Sequence, residues 1–285
     1  MHRPSCRKPV WARGLKIGLT AQLLVAGALL APLPAGASDL LVAPTRVTFE
    51  GRERATEVVL KNAGDRETTY RVSLVARRMS PTGEIIEVDD PNEAEALAQQ
   101  MIRYAPRSIR LAPNQTQAIR VAVRKPADLA DGEYRIHMMF QNVPEVNDVE
   151  DEIDVEAADA LSIRLTPIYG VTIPIIVRHG ALDAGVAIAD AQPDMANEGL
   201  GVSVALQRTG TRSSYGEFEL SAEGHNGPVA LLRGVALYPE IERRVFTIPV
   251  RADANVSAGE TVTLRYYELN GTARTLIEER SVPLG

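Results

Sequence analysis

Asp131-Gly132-Glu133-Tyr134-Arg135-Ile136-His137-Met138-Met139-Phe140 is a turn signal followed at once by an apolar run with an aromatic at each end. Glycine accepts the backbone angles of a tight turn at no steric cost, and Asp favours the position before it. Tyr134 to Phe140 is therefore read as a strand. The same succession of short run and turn recurs on both sides, about every ten residues. Towards the N-terminus, Val58 to Leu60, Tyr70 to Val75 and Ile119 to Val123 are strands, with turns at Asn62-Ala63-Gly64-Asp65, Pro81-Thr82-Gly83 and Ala112-Pro113-Asn114. Towards the C-terminus, Val202 to Gln207, Gly216 to Ala222, Val229 to Leu232, Arg244 to Val250 and Thr261 to Tyr267 repeat the pattern.

Strands at this spacing predict an all-β protein made of sandwiches rather than an α/β sheet. Asn92 to Met101, rich in Ala, Glu, Leu and Gln, is the exception and predicts a short surface helix after the Asp89-Asp90-Pro91 turn. Val171 to Val177 is too short to span a membrane and is a strand by its length and β-branched content. Arg178-His179-Gly180 follows it as the natural hinge. Two immunoglobulin-like β-sandwich domains are expected, residues 38–177 and 178–285, each of about the size of one such domain.

The N-terminus predicts export. Arg3, Arg7, Lys8, Arg13 and Lys16 form a basic leader without acidic residues; a largely apolar run, Ile17 to Leu33, leads to Ala35-Gly36-Ala37. This is the pattern of a signal peptide, residues 1–37. Gly18, Thr20, Gln22, Gly27 and the prolines argue against a membrane anchor, so no stable membrane insertion is expected. Without the leader, 26 basic and 37 acidic residues remain, a net charge of −11 with His neutral. Such a field disfavours nucleic acid and anionic lipid as partners. Cys6 is the only cysteine and leaves with the leader, so stability must come from apolar burial rather than disulfides.

No constellation for catalysis is found. G-x-S-x-G, H-E-x-x-H, G-x-x-x-x-G-K and paired cysteines are all missing from the sequence. His137, His179 and His225 are scattered, and Gly199-Leu200-Gly201 has no third glycine, so it reads as a turn. Glu145 to Asp159 is dense in carboxylates but lacks the calcium-loop spacing; it reads as a mobile loop kept solvated by its own repulsion, with a calcium site as the alternative. No enzyme, cofactor or metal is expected.

Four segments in order carry a family resemblance. They are Thr45-Arg46-Val47-Thr48-Phe49-Glu50-Gly51; Ile109-Arg110-Leu111-Ala112-Pro113-Asn114-Gln115 with Arg120-Val121; Asp131-Gly132-Glu133-Tyr134 through Phe140 to Val143-Pro144; and Leu161-Ser162-Ile163-Arg164-Leu165 followed by Ile175-Ile176-Val177-Arg178. Together they resemble the PapD-like periplasmic chaperones of pilus assembly, with Asn114 where the family usually has glycine. The match covers the first domain; the second matches in its β pattern only.

The resemblance implies that the protein lends a strand to an unfinished pilus or fimbrial subunit and delivers it to an outer-membrane usher, a case of β-strand addition. Leu161, Ile163 and Leu165, sharing one strand face, would enter the subunit's groove; read from the residues alone, they could equally face the domain's own core. Arg46 matches the arginine that holds the subunit's C-terminal carboxylate. The lysine that normally assists it is missing: Gly170 or Pro174 stands in its place, depending on the direction of counting, and Arg164 or Arg178 are the possible substitutes. A secreted tandem immunoglobulin-like adhesin or fibre component is the alternative function.

Overall fold

The computed structural model describes residues 39–144, 168–194 and 200–284. The expected leader, the acidic stretch from Glu145 to Asp159 and the segment Leu161 to Leu165 lie outside the described residues. No described helix is long and apolar enough to cross a membrane.

The first sandwich contains β1 (Leu40–Ala43), β2 (Val47–Phe49), β3 (Ala55–Asn62), β4 (Thr68–Val75), β5 (Arg77–Met79), β6 (Ile85–Glu87), α1 (Glu93–Met101), β7 (Ile102–Ala105), β8 (Ser108–Leu111), β9 (Thr116–Val123), β10 (Gly132–Val143) and β11 (Gly170–His179). One sheet has the order β1-β3-β9-β7 and the other β2-β11-β10-β4-β8. The first order is that of the A-B-E-D sheet of an immunoglobulin domain, and β11-β10-β4 form the facing G-F-C sheet. The second sandwich contains β12 (Val186–Asp194), β13 (Gly201–Arg208), β14 (Ser214–Ala222), β15 (Ala230–Leu237), β16 (Arg243–Pro249), β17 (Thr261–Asn270) and β18 (Ala273–Pro283). Its sheets run β12-β13-β16 and β15-β14-β17-β18. Among the described residues the protein is therefore all-β apart from α1 and one 3₁₀ turn, as its spacing predicts.

Alternation drives the layers. In β3, Val58, Leu60 and Asn62 turn inward while Glu57, Val59 and Lys61 face out; in β9, Ile119, Val121 and Val123 do the same around Arg120. Asn62 is wholly buried, and its side chain is satisfied by bonds to Arg66 O, Leu111 O and Gly64 N. It ties the turn after β3 to the end of β8. Asn114, which replaces the glycine usual in the resembling family, has φ +61°. Asn is one of the few side chains that tolerate this left-handed region, which accounts for the substitution.

Several elements differ from the sequence reading. The opening segment is two strands: β1 lies in one sheet and β2, across Pro44-Thr45-Arg46, in the other. β11 pairs with β10 through His179, two residues past Val177. Val229 precedes β15, which runs on to Leu237. The helix begins at Glu93 with Asn92 as its cap: Glu95 N donates to Asn92 Oδ1 at 3.0 Å and Asn92 N donates to Glu95 Oε2 at 2.8 Å. It is less superficial than expected, since Ala98 and Met101 are fully buried.

Candidate functional site

The candidate site lies where the two sandwiches meet, on one face of the β2-β11-β10 sheet. Residues directly opposite across paired strands share a face. Glu133 lies opposite Arg178, Arg135 opposite Ile176 and His137 opposite Pro174, with Thr48 flanking Ile176 on β2. Ile173, Ile175 and Val177 point into the first core, whereas Ile176 belongs to the second. The Glu133-Arg135-His137 face is thus the one that meets the second sandwich.

Arg46, between β1 and β2, reaches across. Its Nη2 donates to Tyr238 Oη at 2.8 Å, and its guanidinium lies 4.1 Å from the centre of the Tyr215 ring. Tyr215 is on β14 and Tyr238 follows β15, so both partners come from the second sandwich. Among the described residues no carboxylate pairs with Arg46, and its Nε is buried without a hydrogen-bond partner.

Arg178 is engaged differently. Its Nε meets Glu133 Oε2 at 3.1 Å, its Nη1 meets Glu50 Oε2 at 3.1 Å, and its Nη2 donates to Ser213 O at 3.3 Å. Glu133 Oε2 also accepts from Ser213 N at 3.1 Å and Ser213 Oγ at 2.8 Å, and the Glu133 side chain is 0% exposed. Arg178, one of the two residues considered for the lysine's role, therefore already holds the sandwiches together. Nearby, Arg212 pairs with Glu268 at 2.9 Å.

The β5–β6 hairpin makes a second junction. Met79 leaves its own domain and joins the second core, 6% exposed. Met79 N donates to Glu240 Oε1 at 2.8 Å, and Val245 N donates to Pro81 O at 3.2 Å. Arg135 pairs with the same Glu240 oxygen and stacks on Tyr238, 3.6 Å from the ring centre. The turn Pro81-Thr82-Gly83 was legible in the sequence; its docking on the other sandwich was not, because Met79 in isolation looks like any core residue.

Beside the Arg46 and Arg178 contacts a cavity of about 430 Å³ is lined by Arg46, Thr48, Glu50, Arg178, Arg212 and Tyr215, among others. Among the described residues Arg46 is the lining guanidinium without a carboxylate partner, while Glu50, Glu53 and Glu268 line the same cavity. The two places considered for the missing lysine are both on β11: Gly170 at its start, and Pro174 opposite His137. His137 is 3% exposed, and its pKa is pushed down to about 3, first by burial and then by Arg135, Arg77 and Arg46. It is a neutral imidazole at physiological pH. Leu161, Ile163, Arg164 and Leu165 lie outside the described residues, so of the expected site residues the structure places Arg46 and Arg178 and brings both to this cavity. Among the described residues no group of three or more His, Cys, Asp or Glu side chains is placed to hold a metal ion.

Comparison with known proteins follows the same division. No sequence relative is found among curated proteins. Among solved structures, the chain is similar to the YadV chaperone (14% identity, 86% of this chain and 100% of that one, TM-score 0.45). It is similar to a chain of a chaperone–tip adhesin complex of CFA/I fimbriae biogenesis (12% identity, 86% and 99%, TM-score 0.44). A third is the CupB2 chaperone of Pseudomonas aeruginosa (14% identity, 86% and 100%, TM-score 0.43). Residues 39–167 match the family model for pili and flagellar-assembly chaperones, PapD N-terminal domain. Over those residues the chain is similar to the PapD-like assembly chaperones.

Proposed function

We propose that this protein is a periplasmic chaperone that holds pilus or fimbrial subunits by donor-strand complementation and hands them to an outer-membrane usher. The observation that carries the reading is an open sheet edge. β11 sits between β10 and β2, but β2 pairs only with Ile175, Ile176 and Val177. Among the described residues, Gly170 to Pro174 have β10 on one side and no strand on the other. Such an edge presents unsatisfied backbone donors and acceptors that template a further strand. It continues in sequence from Leu161, Ile163 and Leu165, the alternating residues assigned to the subunit's groove.

The energies are adequate for this task. Three buried aliphatic side chains contribute about 1.5–3 kcal/mol each before ordering costs. Main-chain pairing adds about 0.5–1.5 kcal/mol net per bond. Against association costs of several kcal/mol, micromolar or tighter binding follows. Arg46 supports the reading as the carboxylate anchor, because it brings to the cavity wall a guanidinium with no carboxylate partner among the described residues. The expected signal peptide supports the compartment.

The test is co-expression with a pilus or fimbrial subunit that lacks its last strand, followed by pull-down from the periplasm. A one-to-one complex lost with Ile163→Glu supports strand donation. A complex that ignores Ile163→Glu, or the absence of any complex, turns the assignment towards a secreted immunoglobulin-like adhesin or fibre module.

A further inference from the structure

A trough runs on the first sandwich between α1 and the connection from β9 to β10. It joins a hollow of about 590 Å³ beside the start of α1 to one of about 330 Å³ beside its end, and Leu97 and Pro126 line both. Each wall carries charge in the same order. On the helix side Glu93 stands at one end and Arg103 at the other. On the facing connection Asp128 stands at the first end, and Arg124 and Lys125 at the second. Leu97 and Pro126 form the middle, and Leu129 and Tyr134 continue the apolar lining at the acidic end. The Tyr134 hydroxyl donates to Ala130 O at 2.9 Å, so it leaves that lining without a free donor.

The helix accounts for one wall only. Carboxylates are favoured at a helix N-terminus and cations at its C-terminus, and the effect fades within a turn. Glu93 opens α1, and Arg103 Nη1 donates to Gln100 O and Ile102 O at its end. The facing wall has no such local cause for repeating the order. Like charge gathers at both ends: burial and then Arg54 push the Lys125 pKa down, with Glu50 opposing, while burial and then Glu93 and Asp131 push that of Tyr134 up. Among the described residues none of Glu93, Asp128, Arg103, Arg124 and Lys125 enters an ion pair. The outer sheet of the second sandwich does the opposite, since Arg274 holds Glu217 and Glu219 while Arg265 holds Glu279. Charges sorted to opposite ends and left unpaired are the arrangement that reads a complementary partner.

We propose that this trough docks a short extended segment of a partner protein, apolar in its middle, with carboxylates over Arg103, Arg124 and Lys125 and cations over Glu93 and Asp128. The nine residues of α1 are about 14 Å long, the length of about four extended residues. The segment is therefore a small apolar core with opposite charges at its two ends. No lining residue is shared with the Arg46 cavity or with Gly170 to Pro174 of β11, so the inference stands apart from strand donation.

The experiment follows the fluorescence anisotropy of labelled peptides added to the full mature chain. The probes are Lys-Lys-Ala-Leu-Val-Ala-Glu-Glu, the same residues in reverse order, and a control of equal composition, Lys-Glu-Ala-Leu-Val-Ala-Glu-Lys, with both signs at each end. One of the two sorted peptides is expected to bind roughly tenfold more tightly than the control, with the gap closing as salt rises. Arg124→Glu combined with Asp128→Lys, both at exposed positions, should erase the difference between the sorted peptides while leaving the unfolding temperature near that of the parent. Serine in place of the central Leu and Val should abolish binding. Equal binding of all the peptides, a preference that the charge swap leaves in place, or full binding of the serine peptide would each overturn the proposal. So would a concentration-dependent dimer in sedimentation that Arg124→Glu dissolves, since the occupant would then be a second copy of this chain.

Discussion

Glu133 and Arg178 face each other across β10 and β11, 3.1 Å apart, and Glu133 extends the same carboxylate oxygen to Ser213 of the second sandwich. The pair is a joint between domains as well as an ion pair. Removing Glu133 leaves Arg178 with only the exposed Glu50 as counter-ion and takes the acceptor from Ser213, a loss towards the lower end of the about 3–5 kcal/mol that breaking a buried ion pair costs. Glu133→Ala should therefore lower the free energy of unfolding by about that much in a denaturant titration, and Ser213→Ala by only about 1 kcal/mol, the worth of one hydrogen bond. Equal losses from the two variants would show that the charge is not the larger contribution.

Acid should weaken the protein through His137. Its folded pKa, about 3, lies far below the unfolded value near 6.5. Below pH 6.5 the unfolded chain takes up a proton that the folded chain refuses, so this contribution is present above 6.5 and is lost as pH falls towards 3. The slope is about 1.4 kcal/mol per pH unit, or roughly 2 kcal/mol between pH 6.5 and 5. His137→Gln should flatten the stability profile over that interval. An unchanged slope would place the sensitivity elsewhere.

Asn114 holds a left-handed backbone at φ +61°. Asn114→Gly should be tolerated within a few tenths of a kcal/mol, while Asn114→Val should cost about 1–2 kcal/mol. Thermal unfolding distinguishes them. A harmless valine would mean that the turn relaxes to another shape.

Met79→Ala should open a cavity in the second sandwich although the residue belongs to the first. Losses for buried methionine are about 2–5 kcal/mol. The measurable sign is splitting of one calorimetric transition into two, as the sandwiches lose one of the residues, Met79 and Ile176, that the first lends to the core of the second. A single transition at lower temperature would mean that Ile176 and the polar contacts between the sandwiches keep them coupled without Met79.

The sandwiches were legible because alternation such as Val58-Leu60 or Ile119-Val121-Val123 reports a half-buried strand directly. β18 was harder: Ala273–Pro283 is almost wholly exposed, and Leu276 and Ile277 stand in a row of charges, so no alternating face marks it. At the site, Arg46 could be picked from its segment, and Arg178 from its place after a long strand. Their partners could not. Tyr215, Tyr238 and Glu240 are distant in sequence and look like ordinary strand-end residues. Arg135 read only as part of a strand, because its neighbours across the sheet depend on a register the sequence does not state.

The β5–β6 hairpin bears on the order of assembly. Met79 is synthesised long before β12 to β18, yet it fills part of their core. Domains made from the N-terminus tend to fold as they appear. The first sandwich thus presents a ready template, with an apolar peg exposed, around which the later strands condense.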